Sequence, residues 1–215
     1  MEAAHGSSVS GVSQLRLAGI LLIATLFLYA TVIVFTVTRV FSRFPNGLGL
    51  LTPIDMMTFR GDFVLFQLLA LVAIGAGTGG LAVSAMSLLT TRARTWAQIA
   101  LICAVAAFAA VLLAVAARFT LLNFTEPTLG ESATWQSTTW IFEDIAAPLQ
   151  GLATLVTSVA LTVSDVLRRT GLVVAVLSGI VLVLAFVAGF PPFVFAFLWL
   201  ALGIGLLRST RTILT

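Results

Sequence analysis

The residues best suited to chemistry in this chain are three carboxylates and a row of uncharged polar side chains between Glu143 and Asp165. At about 100° per residue in an α-helix, these side chains fall within roughly 160° of one face, and the opposite arc is apolar. A membrane helix sorted in this way turns its apolar side to lipid and its polar side to other helices or to a wet cavity. The stretch therefore predicts a polar seam, whose candidate ligand- or ion-binding residues are Glu143, Asp144, Gln150, Thr154, Thr157, Ser158 and Asp165.

The adjacent carboxylates Glu143 and Asp144 have two interpretations. Two carboxylates can carry out acid/base chemistry when their surroundings make one a better acid than the other. They can equally occupy the first turn of a helix, where the dipole and the free N–H groups favour negative charge. Because Arg118 ends the preceding apolar segment, we expect it to pair with one of them.

Asp165 is open to similar alternatives. An ionisable group in a membrane helix can relay a proton or a cation. Arg168 and Arg169 follow three and four residues later, a spacing that favours a local ion pair on one helix. The hydroxyl groups of the stretch have no base near them in sequence, and interhelical or back-bonded hydrogen bonds are their ordinary role.

Metal and cofactor chemistry lacks its usual residues. The chain has one cysteine, Cys103, and one histidine, His5, so the ligand sets of zinc, haem and iron–sulfur sites are missing. We therefore expect no metal and no cofactor. With no activated nucleophile to complete an active site, we also expect that the protein is not an enzyme.

The composition is that of an integral membrane protein. Of the 215 residues, 60% are hydrophobic and 9% are charged, whereas soluble domains carry about 25% charged residues. The net charge is +3, and all eleven basic residues are arginines. These arginines stand singly or in pairs near the ends of apolar segments. That distribution suits orientation in a membrane, so we expect no nucleic-acid partner.

The apolar segments predict an all-α bundle of six transmembrane helices in one domain, residues 16–208, between tails at 1–15 and 209–215. The first tail is rich in Ser and Gly and is predicted to be disordered. Two longer loops, 41–62 and 119–140, connect spans one to two and three to four. The alternative for the last two spans, around Pro191-Pro192, is a re-entrant pair. The predicted spans are residues 17–40, 63–89, 95–117, 145–167, 171–189 and 191–207.

Arginine placement predicts the orientation. With the N-terminus inside, seven arginines lie on the inner side and four on the outer side, which also carries most of the acidic residues. We therefore expect both termini to be cytoplasmic, in the inner (plasma) membrane of a bacterium, and the two long loops to face outward. The inner set is Arg16, Arg92, Arg94, Arg168, Arg169, Arg208 and Arg211.

Small residues in the second span predict close helix packing. The pairs Gly75/Gly79 and Gly80/Ser84 have the spacing that lets helices approach each other. A phosphate-binding loop is the sharper alternative, but it is disfavoured because no strand precedes these glycines and the chain has no lysine. A kink or local unwinding, as in the broken helices of transporters, is a further alternative.

Two aromatic residues with a polar tip, Tyr29 and Trp199, need a hydrogen-bond partner if they are buried. We expect both to pack in the core, with the lining of a pocket as the alternative.

The segment from Trp199 through Gly203 and Gly205 to Arg208, after the Pro191-Pro192 turn, resembles that of an uncharacterised family of bacterial six-helix membrane proteins. The order of spans and the long first outer loop are also similar. This resemblance covers the architecture of most of the chain and implies no activity and no catalytic residues.

The chain is also similar in size and span number to the S-components of energy-coupling-factor vitamin transporters. Those proteins contact their partner through small residues of the first helix. Here Ala18, Ala24 and Ala30 stand six residues apart rather than four, which departs from that pattern.

Two functions follow from these patterns. The first is a non-enzymatic membrane bundle that binds a partner protein, a second copy of itself or a lipid, with the outer loops as the binding surface. The alternative is a transporter, or a transporter subunit, that holds a small solute in the polar seam. The first requires a dry seam around Gln150 and Thr154, and the second requires a wet one.

Overall fold

Six α-helices make up the part of the chain that the structure, a computed structural model, describes: residues 3–40, 60–121, 129–188 and 194–214. No strand occurs within these ranges. The helices are α1 (Ala3–Phe35), α2 (Arg60–Ser87), α3 (Arg94–Leu121), α4 (Leu129–Val163), α5 (Arg168–Ala188) and α6 (Val194–Leu214). A π-helical segment, Thr36–Val40, continues α1.

Within the described ranges, four helical stretches are long and apolar enough to cross a membrane: Gly11–Arg39, Arg60–Ser87, Arg94–Thr120 and Ser137–Val163. Val194–Thr210 is a shorter apolar helix. Large apolar side chains such as Ile102 and Val105 on α3 and Val176 and Val183 on α5 are exposed. An apolar surface of this kind suits lipid rather than water, so the fold is consistent with a membrane-embedded protein.

The helices form a closed ring in chain order. Each helix packs against the next one, and α6 packs back against α1. Across the ring, α4 also touches α2 and α6. The fourth helix, which carries the polar seam, therefore has neighbours on both sides and across the centre.

Two glycines allow the ring to close between α1 and α6. A Cβ added to Gly19 would lie 3.0 Å from the carbonyl oxygen of Gly203, and a Cβ added to Gly203 would lie 2.8 Å from the carbonyl oxygen of Gly19. The two backbones therefore meet directly at this crossing, as small residues permit in membrane helices.

Several segments that the sequence analysis placed outside helices are helical. α1 begins at Ala3, within the tail predicted to be disordered, and α4 begins at Leu129, within the predicted loop 119–140. Hydropathy falls at the edge of lipid, but a helix continues past that edge as long as its own backbone bonds are satisfied. At the other end of the chain, α6 extends through the predicted tail to Leu214. The predicted loop residues 41–59 and the Pro191-Pro192 turn lie outside the described residues.

Candidate functional site

The centre of the ring is filled by Trp199 of α6. Its side chain is fully buried, and a methyl group at Gly77 of α2 would overlap its six-membered ring. Its indole N–H donates a hydrogen bond of 2.7 Å to the hydroxyl of Thr154 on α4. Trp199 thus joins α2, α4 and α6 at the level where the polar seam was predicted.

The seam hydroxyls next to Trp199 are bonded along their own helix. The Thr154 hydroxyl donates to the Gln150 carbonyl oxygen, and the Ser158 hydroxyl donates to that of Thr154, each at 2.7 Å. Gln150, Thr154, Thr157 and Ser158 are all fully or almost fully buried. The middle of the predicted seam, from Gln150 to Ser158, is therefore an interior face, turned toward other helices rather than toward lipid.

Some buried polar atoms have no hydrogen-bond partner among the described residues. They are the Oε1 atom of Gln150 and the hydroxyls of Thr157, Ser178 and Tyr29. Gln150 and Thr157 lie on α4 seven residues apart, two helical turns, so both side chains point to the same side of the helix. Leaving a buried polar atom without a hydrogen bond costs about 1–3 kcal/mol of folding free energy. These two side chains are therefore the part of the seam that could still form hydrogen bonds to a ligand.

A polar network joins three helices at one end of the bundle. Arg118 of α3 donates to the Gln67 side-chain oxygen on α2 at 2.9 Å and pairs with Glu143 of α4 at 2.5 Å. The expected pairing of Arg118 with one of the two neighbouring carboxylates therefore falls on Glu143, whereas Asp144 is exposed. The side chains of Arg118 and Glu143 are 24% and 42% exposed, so the pair lies at the rim of the packed core.

The opposite end, here called the basic end, contains the α2–α3 turn, the α4–α5 turn, the part of α1 around Arg16 and the C-terminal part of α6. The turns are joined by Arg92, which pairs with the Asp165 carboxylate and donates through Nε to the Val163 carbonyl oxygen at 2.5 Å. The Ser209 hydroxyl of α6 donates to the Val166 carbonyl oxygen at 3.1 Å. The arginines of this end with described side chains are Arg16, Arg92, Arg94, Arg168, Arg169 and Arg208.

The predicted local pair of Asp165 with Arg168 or Arg169 is wrong. α4 ends at Val163, and Asp165 lies in a turn with a φ of 61°, so the helical spacing on which that pair depended does not exist. Asp tolerates this left-handed conformation better than most residues. Arg92 then reaches Asp165 from the neighbouring turn, and Asp165 lies apart from the buried part of the seam.

The small residues of α2 have different surroundings. Gly75 lies near the ring of Phe108 on α3, Gly80 lies against Leu22 and Ala18 of α1, and Ser84 is fully buried. A Cβ at Gly79, by contrast, would meet nothing within 4 Å among the described residues. α2 is a continuous helix through all of these positions. Its glycines therefore serve contacts with several partners, and the Gly75/Gly79 pair does not act as one packing motif.

Three contacts escaped the sequence analysis: Gly77 with Trp199, Trp199 with Thr154, and Arg92 with Asp165. Gly77 lies between Gly75 and Gly79 of the first predicted pair, and a full accounting of small residues on α2 would have included it. The roles of Trp199 and Arg92 depend on long-range contacts for which a single sequence gives no signal.

No group of three metal-ligating side chains occurs among the described residues, and Cys103 is buried without a disulfide. Comparison with protein-family models, with curated proteins and with solved structures found no match. The two resemblances drawn from the sequence stay predictions.

Proposed function

We propose that this protein is a non-enzymatic, six-span membrane bundle that binds a lipid or a partner protein at its surface and passes no solute through its core. The observation that carries the proposal is Trp199. A solute path along the α4 seam would have to cross the layer of Gly77, Thr154 and Trp199, where the indole ring fills the space between three helices. Opening that layer would require both a broken hydrogen bond and a movement of α6.

The six-span arrangement with both termini inside is part of the same proposal. α5 and α6 have 21 residues each, or about 31 Å of helix, which is long enough for the ~30 Å of hydrocarbon in a bilayer when the end turns that carry arginines are included. Arginine clusters at the basic end, and the positive-inside rule assigns that end to the cytoplasm.

Cysteine accessibility tests whether the core is dry. On a Cys103→Ser background, Gln150→Cys and Thr157→Cys place a thiol in the seam, and neither removes a side-chain hydrogen bond described here. We expect a membrane-impermeant thiol reagent to leave both unlabelled from either side. Ser137→Cys, at an exposed position on α4, is the positive control, and Ile145→Cys reports the apolar exposed face. Rapid labelling of positions 150 and 157 would overturn the proposal.

The second candidate is a small-solute transporter or transporter subunit, and the unpaired atoms of Gln150 and Thr157 favour it. A buried amide oxygen and a hydroxyl on one side of a helix can hold a small polar solute by hydrogen bonds. In that case Gln150→Leu should abolish any solute-dependent change in thermal stability or transport. In a packed bundle the same substitution is tolerated, because it removes a buried polar atom that has no partner.

A further inference from the structure

A groove runs along the basic end of the bundle between α5 and α6. Its volume is about 360 Å³, and its lining residues are Leu167, Thr170, Ala201, Ile204, Gly205, Arg208 and Ser209. α5 and α6 pack least extensively of all the neighbouring helix pairs in the described ranges. The groove therefore follows from a weak helix contact and lies on the outer surface of the ring.

The two ends of the groove differ in chemistry. Ala201 and Ile204 form an apolar wall, whereas Arg208 provides a cation about 10 Å along the helix from Ala201, at 1.5 Å per residue. Thr170 adds a hydroxyl-bearing side chain from α5. Gly205 leaves the bottom of the groove open, because a Cβ at this position would lie 3.2–3.3 Å from Leu167 and Thr170 and would fill the space between them. An apolar slot with a cation at one end matches an amphiphile with a negatively charged head.

We propose that this groove binds one anionic phospholipid, with its phosphate at Arg208 and the upper part of an acyl chain along Ala201 and Ile204. Basic pockets between membrane helices on the cytoplasmic side are suited to such head groups. Arg168 and Arg169 begin α5 beside the groove and are exposed, so the surrounding field also favours an anion.

Charge separates this occupant from the other candidates. A zwitterionic lipid would gain little from the cluster of arginines, and a second copy of this chain would bring the same positive charges to its own basic end. The lipid site specifies the ligand of the proposed function. It rests on that proposal in one respect, because it requires the basic end to lie at the surface of a bilayer.

Native mass spectrometry of the purified chain in mild detergent tests the proposal. Phosphatidylglycerol and phosphatidylcholine with identical acyl chains are titrated separately, and the affinity of the first bound lipid is measured. We expect phosphatidylglycerol to bind more tightly, and Arg208→Gln to weaken its binding about fivefold while leaving phosphatidylcholine unchanged. Ala201→Leu, which fills the apolar part of the groove, should weaken binding of both lipids.

Two matched variants serve as controls. Arg94→Gln removes an exposed arginine of the same end outside the groove, and Ala109→Leu enlarges an exposed alanine on α3. Neither should change lipid affinity. An equal effect of Arg94→Gln and Arg208→Gln would show diffuse surface attraction and overturn the site. An unchanged lipid affinity in Ala201→Leu would also overturn it. So would a result in which Arg208→Gln and Ala201→Leu change the proportion of dimer but leave the lipid affinity unchanged.

A folding defect is separated from a binding defect by the elution volume and melting temperature of each variant without added lipid. Failure of the lipid site would leave the seam cysteines at positions 150 and 157 unlabelled, whereas failure of the proposed function would expose them. The two outcomes are therefore distinguishable.

Discussion

The indole N–H of Trp199 donates to the hydroxyl of Thr154, and this bond of 2.7 Å joins α6 to α4 across the centre of the helix ring. The same ring system lies against the backbone of Gly77 on α2. A bulky side chain can occupy this layer only because the facing residue of α2 has no side chain.

The contact between Gly77 and Trp199 predicts the effect of a single methyl group. Gly77→Ala should destabilise the protein by about 1–3 kcal/mol, because the tryptophan ring has to move in a packed core. The free energy of unfolding in mixed micelles titrated with a denaturing detergent measures this change.

The matched control is Gly79→Ala, two residues away on the same helix. Its Cβ meets nothing within 4 Å in the described part of the chain, and exchange of Gly for Ala favours a helix by about 1 kcal/mol. We expect no loss of stability and a small gain. Equal effects of the two substitutions would contradict the packing around Trp199.

The ion pair of Arg118 and Glu143 should contribute modestly to stability. A double-mutant cycle with Arg118→Gln and Glu143→Gln is expected to give a coupling energy of about 1 kcal/mol, the upper end of the range for accessible pairs, since both groups are partly exposed. A second cycle pairs Arg118→Gln with Asp144→Asn, and its coupling should be close to zero. A larger coupling to Asp144 would mean that the pairing is misassigned.

The backbone of Asp165 gives a prediction that separates conformation from charge. At a φ of 61° an ordinary side chain costs about 1–2 kcal/mol. Asp165→Ala should therefore destabilise by about that amount, whereas Asp165→Gly is close to neutral. Asp165→Asn keeps the tolerance for this conformation and loses only the charge, so its cost stays below about 1 kcal/mol. An Asn variant as unstable as the Ala variant would show that the ion pair with Arg92 dominates.

The orientation of the bundle can be measured in intact cells. With Cys103 replaced by Ser, an impermeant thiol reagent should label Ser137→Cys directly and label Thr90→Cys only after permeabilisation. Both positions are exposed, and neither substitution changes a charge. The reversed pattern would place the basic end outside and contradict the positive-inside assignment.

Much of the fold was predictable because lipid imposes simple rules on sequence. The composition indicated membrane helices, and the polar face of α4 indicated which side of that helix turns inward. Gln150, Thr154, Thr157 and Ser158 are indeed interior. The start of α4 was not predictable from hydropathy, because residues 129–144 are polar enough to resemble a loop although their backbone is helical.

The partners of the polar residues were the harder part. Helical spacing suggested Arg168 and Arg169 for Asp165, but a turn in a left-handed conformation removed that spacing. In the structure, Asp165 instead forms an ion pair with Arg92, which is 73 residues away in the chain. Contacts of this kind depend on which turns share an end of the bundle, and a single sequence does not encode that in any local pattern.

The meeting of Gly19 and Gly203 has a consequence for biosynthesis. α1 leaves the ribosome long before α6, yet the face that contains Gly19 is completed only by α6. During synthesis that face, and the gap beside Gly77, must stay covered by lipid or by an insertion factor until Trp199 arrives. A chain stalled before α6 would expose both surfaces at once, and it would be a ready target for the quality-control proteases of the membrane.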